Sequence, residues 1–373
     1  MTAISIIGCG FVADLYMRSL ARFPDIRVVG VYDRDNVRSD AFCSHWGVVA
    51  MGSLDALFDA TPKGGVILNL TNPHAHFALT KACLEAGFHV YSEKPLATEM
   101  ADAFALHALA KEKNLLLASA PCSVLGEAAQ TLAAAVRDDV AGTPRLIYAE
   151  LDDGFIPQAP FARWFSESGA PWPAEDEFRV GCTLEHAGYY LSWLIAMFGT
   201  VHRVVAASAD LVPDKVAGDV APDFSVATLF FENGPVVRLT CSIVAPHDHQ
   251  IRIIGDKGVL AVQQAWDNNA KVTMRKRMTI RRRLLELPFA KRFRLKGPTH
   301  PKVGRWGAAS MNFALGPVEM LDALREGREC RLSADFALHL NEVTLAIQNA
   351  GDSTGSQEMQ TRCAVMEPMP WAK

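Results

Sequence analysis

Hydrophobic positions fall into two regimes along the chain. Over roughly the first 120 residues they come as short continuous runs at 3–7, 27–32, 66–70, 88–92 and 115–119. Runs of that length, bounded by glycine, proline or polar residues, read as buried strands. Between them lie helix-like stretches near 11–22, 35–46, 54–59, 74–86 and 98–113. Strands alternating with helices predict a parallel sheet covered by helices on both faces. Asn72-Pro73 and Lys94-Pro95 mark strand-to-loop exits at the carboxyl edge of that sheet. Ligands of open α/β sheets bind along that edge.

From about residue 122 the pattern changes. A helical stretch at 126–137 leads through Gly142-Thr143-Pro144 into a strand at 146–151. A loop rich in proline and aromatic residues follows, from Phe155 to Trp172, and then a strongly apolar helix at about 182–198. Strand-like runs recur at 202–212, 224–231, 235–244, 250–254, 258–263 and 271–280, several joined by turns such as Glu232-Asn233-Gly234. That spacing predicts antiparallel neighbours. Helices at 311–325 and 334–349 close the chain. The fold class expected is an α/β Rossmann dinucleotide-binding domain over residues 1–121, plus an α+β domain over 122–373 with a large, mostly antiparallel open sheet.

Composition narrows the function classes. With 373 residues, 50% of them hydrophobic, the chain can bury a large core. A net charge of −4 gives no reason to invoke nucleic acid. No apolar run is long enough to span a bilayer, and the first strand begins where a leader peptide would need a basic region. The eight cysteines (9, 43, 83, 122, 182, 241, 330 and 363) are scattered, without a Cys-x-x-Cys pair. Reduced thiols in a cytoplasm are expected, with neither a disulfide framework nor a structural metal.

The first strand runs into Gly8-Cys9-Gly10-Phe11-Val12-Ala13. Glycines there allow a tight turn and close approach of backbone to a ligand, and the N-terminus of the following helix suits a pyrophosphate. An acidic residue about 20 residues on completes the context the motif needs. Asp33, at the tip of the second strand, is placed to accept hydrogen bonds from ribose hydroxyls and to repel a 2′-phosphate, which favours NAD. The neighbouring Arg34 could stack on adenine or bind that phosphate, so NADP stays open. Glu93-Lys94-Pro95 follows another strand end. A lysine at that edge can stabilise negative charge developing on a reacting oxygen.

Two stretches, Thr71-Asn72-Pro73-His74-Ala75-His76 and Ala86-Gly87-Phe88-His89-Val90-Tyr91-Ser92-Glu93-Lys94-Pro95-Leu96-Ala97, resemble the Gfo/Idh/MocA oxidoreductases. That resemblance implies hydride exchange between a nicotinamide dinucleotide and a carbinol or ketone of a sugar, cyclitol or nucleotide-sugar. It implies Lys94 as the catalytic lysine, and Thr71, Asn72, Pro73, His76 and Glu93 along the cofactor. It also implies a homodimer or homotetramer paired through the open sheet.

The family's second catalytic element is a helix beginning Gly-x-x-x-Asp-x-x-x-His. Here the helix reads Gly181-Cys182-Thr183-Leu184-Glu185-His186-Ala187-Gly188-Tyr189-Tyr190. Aligned on Gly181, Glu185 and Tyr189 take the acid and histidine positions; aligned on Gly188, His186 and Tyr190 do. Each pair is spaced i,i+4 and shares a helix face. Leu184, Leu191, Ile195 and Phe198 form an apolar stripe expected to face the core. Glu185, Tyr189, Ser192 and Ala196 form a polar stripe with small neighbours, which suits a sugar better than the bulky stripe of His186, Tyr190, Trp193 and Met197. Tyrosine, with a reference pKa near ~10, makes a poor base unless a cation lowers it. Lys94 is expected to be that cation.

Remaining signals are weaker. His247-Asp248-His249 places two imidazoles on one face of a strand, but no third ligand is visible at a metal-site spacing. The segment 271–296 holds eleven lysines and arginines against Glu286, which suits either a guarded sheet edge or an anionic partner. The Phe155–Trp172 loop suits either a lid over a sugar ring or plain packing. Two other function classes share these features: a dinucleotide or sugar sensor without turnover, and a reductase of a dihydrodiol or tetrapyrrole.

Overall fold

The computed structural model describes residues 2–216, 218–305 and 307–373. Its N-terminal part comprises β1 (Thr2–Ile7), α1 (Phe11–Leu20), β2 (Ile26–Tyr32), α2 (Asn36–Trp46), α3 (Leu54–Ala60), β3 (Val66–Asn69), α4 (Pro73–Glu85), β4 (His89–Ser92), α5 (Met100–Glu112) and β5 (Leu117–Ser119). The five strands are parallel, in the order β2-β1-β3-β4-β5. β3 and β5 are buried along their whole length, as strands covered on both faces must be. The chain moves to one side of β1 for β2 and to the other for β3, which leaves a crevice at the carboxyl ends. Hydrogen bonds carry the ladder one residue past the strands: Leu70 N–H to Ile7 O at 2.8 Å, Glu93 N–H to Asn69 O at 2.8 Å and Ala120 N–H to Ser92 O at 2.9 Å. The residues after β1, β3 and β4 therefore stand in a row along one edge.

The remainder comprises α6 (Glu127–Arg137), β6 (Pro144–Asp152), α7 (Ala174–Val180), a π-helical turn (Thr183–Ala187), α8 (Gly188–Phe198), β7 (Val201–Ala209), β8 (Phe224–Phe231), β9 (Val236–Ser242), β10 (Ile251–Gly255), β11 (Gly258–Val262), β12 (Val272–Ile280), β13 (Arg283–Glu286), β14 (Lys291–Phe293), α9 (Leu315–Glu326), α10 (Ala334–Gln348) and β15 (Ser356–Glu358). Ten strands make one sheet in the order β13-β12-β11-β10-β6-β9-β8-β7-β15, with β14 beside β12. Its pairs are antiparallel apart from the parallel β6–β9 pair. Burial alternates residue by residue along β6, β8 and β10. One face carries the core under α6 and α10. On the other, Arg203 lies over the Phe230 ring, and Arg238 and Arg252 over Tyr148.

Four expectations need correction. The helix expected at 311–325 starts at Leu315. Starting at 311 would have put Pro317 in the interior, where it has no N–H to donate; in the observed helix it sits in the first turn. The strand expected at 202–212 ends at Ala209. The strands β13, β14 and β15 have only three or four residues each and left no readable alternation. The helix expected over 182–198 is divided by the π turn, and residues 188–196 are all buried. No stripe of α8 is left open, so the contrast between a core face and a polar face does not hold.

Gly181 ends α7 with φ +97° and starts the segment carrying the π turn. A Cβ there would lie 1.9 Å from Gln348 Nε2 and 2.7 Å from the Ala221 Cβ. Gln348 Nε2 donates to Val180 O at 3.0 Å, and so closes the end of α7. Gly181→Ala is expected to destabilise the protein by about 1–3 kcal/mol through backbone strain and loss of that bond. Urea unfolding of the two proteins measures it.

Candidate active site

The crevice is built first by glycine. Gly8 has φ +96°, and a Cβ on it would lie 2.7 Å from the Leu70 carbonyl and 2.8 Å from Thr71 N. The turns after β1 and β3 pass this close only because no side chain separates them. Among the described residues, Gly10 has nothing within 4 Å of where its Cβ would point. It precedes Phe11 and Val12, the first residues of α1, whose N-terminus carries no side-chain cap. Asp33 faces the same turn: Cys9 N–H donates to its Oδ2 at 2.7 Å and Asp35 N–H to its Oδ1 at 2.9 Å. Arg34 beside it is exposed. An open, uncapped helix start with a carboxylate at the next strand end fits the diphosphate and ribose of a dinucleotide.

The loop after β3 forms the next wall. Thr71 Oγ1 donates to Asn69 Oδ1 at 2.7 Å, Asn72 precedes α4, and Pro73 is its first residue. His76 is sealed between two loops, with Nδ1 2.7 Å from Pro95 O and Nε2 3.0 Å from Thr71 O. Burial lowers its pKa to about 4, against the pull of the two carbonyls, so the ring is neutral and donates to one of them. Glu93 is also enclosed. Tyr16 Oη donates to its Oε1 at 2.6 Å and Lys94 N–H to its Oε2 at 3.1 Å.

Lys94 reaches out of this frame to the π turn, where its Nζ pairs with Glu185 Oε2. Burial disfavours the Lys94 ammonium, but the carboxylates of Glu185 and Glu93 outweigh it and hold Lys94 protonated. Burial raises the Glu185 carboxyl, with Lys94 acting against that rise. Tyr189 is 8% exposed, and its ring lies 5.0 Å from that of Trp266. Burial raises the Tyr189 phenol above its ordinary range, and Lys94 only partly offsets this. The expectation that Lys94 would make Tyr189 a base is therefore corrected: desolvation wins, and both groups are proton donors.

The alternative pair takes other partners. His186 Nε2 lies 2.6 Å from Glu177 Oε1, and its Nδ1 is 3.7 Å from Asp153 Oδ2. Tyr190 Oη is buried without a hydrogen-bond partner among the described residues. Glu185, not His186, is the residue brought to Lys94. The loop after Phe155 is engaged in packing: the Trp172 ring lies 5.1–6.1 Å from those of Phe161, Trp164 and Phe178. Its tip is tied to α1, through Ser168 Oγ to Asp14 Oδ2 at 2.8 Å and Arg18 Nε to Glu167 Oε1 at 2.8 Å. The basic segment 271–296 forms the β12–β13–β14 end of the large sheet, buried at Val272 and Met274 and largely exposed beyond them. Tyr16 and Trp266 were missed from sequence because each meets its partner across a long stretch of chain, and Glu177 because the helix break at Gly181 between it and His186 leaves no helical spacing to read.

The neutral His76 has a measurable consequence. Its folded pKa of about 4 lies below the ordinary value of 6.5, so the unfolded chain binds the proton more readily. Its part of the stability is complete above pH 6.5 and is lost as pH falls toward 4, by at most roughly 3 kcal/mol. Urea midpoints at pH 7, 6 and 5 should fall in wild type and fall less steeply in His76→Gln.

Comparison with known proteins adds to this geometry. A family model described as an oxidoreductase family with an NAD-binding Rossmann fold matches residues 2–120, and the GFO/IDH/MocA C-terminal domain model matches residues 129–261. D-apiose dehydrogenase of Paraburkholderia graminis is 26% identical over 243 residues, covering 64% of this chain and 60% of that protein. UDP-N-acetylglucosamine 3-dehydrogenase of Acidithiobacillus ferrooxidans is 27% identical over 154 residues, covering 41% of this chain and 46% of that protein. The chain thus matches less than two thirds of the length of either curated relative. An inositol dehydrogenase homologue of Azotobacter vinelandii, solved with NAD+, superposes with a TM-score of 0.75 at 18% identity, over 96% of this chain and 97% of that one. That likeness shows the shared fold.

Proposed function

Because the chain belongs to the Gfo/Idh/MocA oxidoreductase family, we propose that it is an NAD-dependent oxidoreductase of a carbinol or ketone on a sugar, cyclitol or nucleotide-sugar. The observation that carries this reading is the largely buried Lys94–Glu185 pair beside Tyr189, at the carboxyl edge of the parallel sheet. The bound nicotinamide supplies or accepts the hydride. Lys94 holds the reacting oxygen by a charge-assisted hydrogen bond and stabilises its developing negative charge. Tyr189 gives a proton to that oxygen. Glu185 orients Lys94 and keeps it charged. With both donors protonated in the resting site, the arrangement suits ketone reduction better than alcohol oxidation.

Asp33 favours NAD over NADP. The names of the relatives support a sugar-like substrate. The Arg-over-aromatic face of the large sheet supports pairing with a second copy, as a homodimer or homotetramer. The described cysteines are all free, which supports a reducing cytoplasm. No helix among the described residues is long and apolar enough to cross a membrane.

The test follows nicotinamide absorbance while the protein meets NADH and a panel of keto-sugars and nucleotide-ketosugars. Turnover of one member is expected. Tight NADH binding without any absorbance loss across the panel would favour the sensor reading and reject the enzyme. Lys94→Ala should lower kcat at least about 10²–10³-fold with NADH binding retained. Tyr189→Phe should cost more than Tyr190→Phe, and the reverse order would overturn the choice of Tyr189. Asp33→Ala should narrow the gap between NADH and NADPH, measured as the ratio of kcat/KM values.

A further inference from the structure

A second cluster of ligating groups lies beyond the reacting residues, and the proposed reaction does not use it. Trp266 connects the two: its ring is 5.0 Å from that of Tyr189 and 5.0 Å from that of His249. The cluster comes from the end of β6. Asp152 and Asp248 exchange backbone hydrogen bonds, both at 3.0 Å. Side chains alternate between faces of such a pairing, so Asp153, His247 and His249 share the face opposite Asp152 and Asp248. The third ligand that the His247-Asp248-His249 motif lacked in sequence is therefore Asp153.

We propose that Asp153, His247 and His249 form a divalent-metal site of the zinc class, with one coordination position open. Geometry is the first support. Asp153 Oδ1 lies 3.3 Å from His249 Nε2 and 3.4 Å from His247 Nδ1. Tetrahedral bonds of about 2.0–2.1 Å give ligand–ligand edges of roughly 3.3–3.4 Å. One donor atom from each residue fits within a 4.8 Å span. The second support is an unmet need. His249 Nε2 is buried and has no hydrogen-bond partner among the described residues, although the Asp153 oxygen is only 3.3 Å away. A buried polar atom left in that state is costly, and a shared cation relieves it.

Two imidazoles and one carboxylate suit zinc or a similar borderline metal, whereas calcium and magnesium prefer oxygen ligands throughout. The other Asp153 oxygen faces His186 Nδ1 at 3.7 Å, and Glu177 holds that ring from its far side at 2.6 Å. Such outer contacts orient a ligating carboxylate. The His247 side chain is 65% exposed, which leaves an entry path. Three protein ligands leave the fourth position for water or for an oxygen of a bound molecule.

The experiment uses the full chain stripped of metal by chelator dialysis. Zn2+ is titrated against a chromophoric zinc indicator, and Co2+ is followed by its visible spectrum. Expected are one equivalent bound per chain and cobalt bands of a four-coordinate nitrogen–oxygen site without a thiolate charge-transfer band. Zinc should raise the melting temperature of wild type. His247→Ala, an exposed change that leaves the fold intact by circular dichroism, should weaken binding at least about tenfold. Asp153→Asn should do the same. Wild-type affinity in both variants, no stoichiometric binding, or a thiolate band would overturn the proposal.

Discussion

The ion pair between Lys94 and Glu185 is the contact on which the site depends. It joins the loop after β4 in the parallel sheet to the π turn in the α+β part. Each charge loses hydration worth several kcal/mol on burial, and the pair recovers it only when the geometry is kept. Removing one partner of such a pair costs about 3–5 kcal/mol, because the other is left buried and alone. The same low-dielectric surroundings set the proton states: Lys94 stays an ammonium because the Glu185 and Glu93 carboxylates stand against it, and Tyr189 stays a phenol because desolvation outweighs Lys94.

Contacts around the pair remove its freedom. Glu93 has both carboxylate oxygens engaged, one by Tyr16 from α1 and one by the Lys94 backbone. The helix that begins at the glycine turn is thereby coupled to the loop that carries the lysine. Downstream, Ala97 N–H donates to Asn341 Oδ1 of α10 at 3.2 Å. α10 also meets the π turn through packing, and its last residue closes α7. The segment carrying Glu185 and the loop carrying Lys94 are thus both held by one face of α10, through Gln348 and Asn341.

Much of this was legible along the chain. The five parallel strands were visible because buried strands need continuous apolar runs. The glycine turn was visible because only glycine permits the approach of Gly8 to Leu70. The choice between Glu185 and His186 was only half legible. Helical periodicity offered two equal i,i+4 pairs, and a π turn leaves no mark on hydrophobic spacing. The π turn also invalidated the stripes used to weigh the two pairs, since every face of α8 is covered. His76 and Glu93 were legible as members of the crevice, but not as residues whose polar atoms are consumed by neighbouring loops.

Sequence by itself determined the alternation of strands and helices over the first 120 residues, the glycine turn, and the strand ends that carry Asp33 and Lys94. All are local: a run of apolar residues, a φ only glycine tolerates, or a residue at a fixed distance from a strand end. Tertiary structure alone decided which acid meets Lys94, what state Tyr189 keeps its proton in, and that Asp153 stands against two histidines about 95 residues away. These depend on desolvation and on contacts between distant segments, and neither is written in the spacing of residues along one chain.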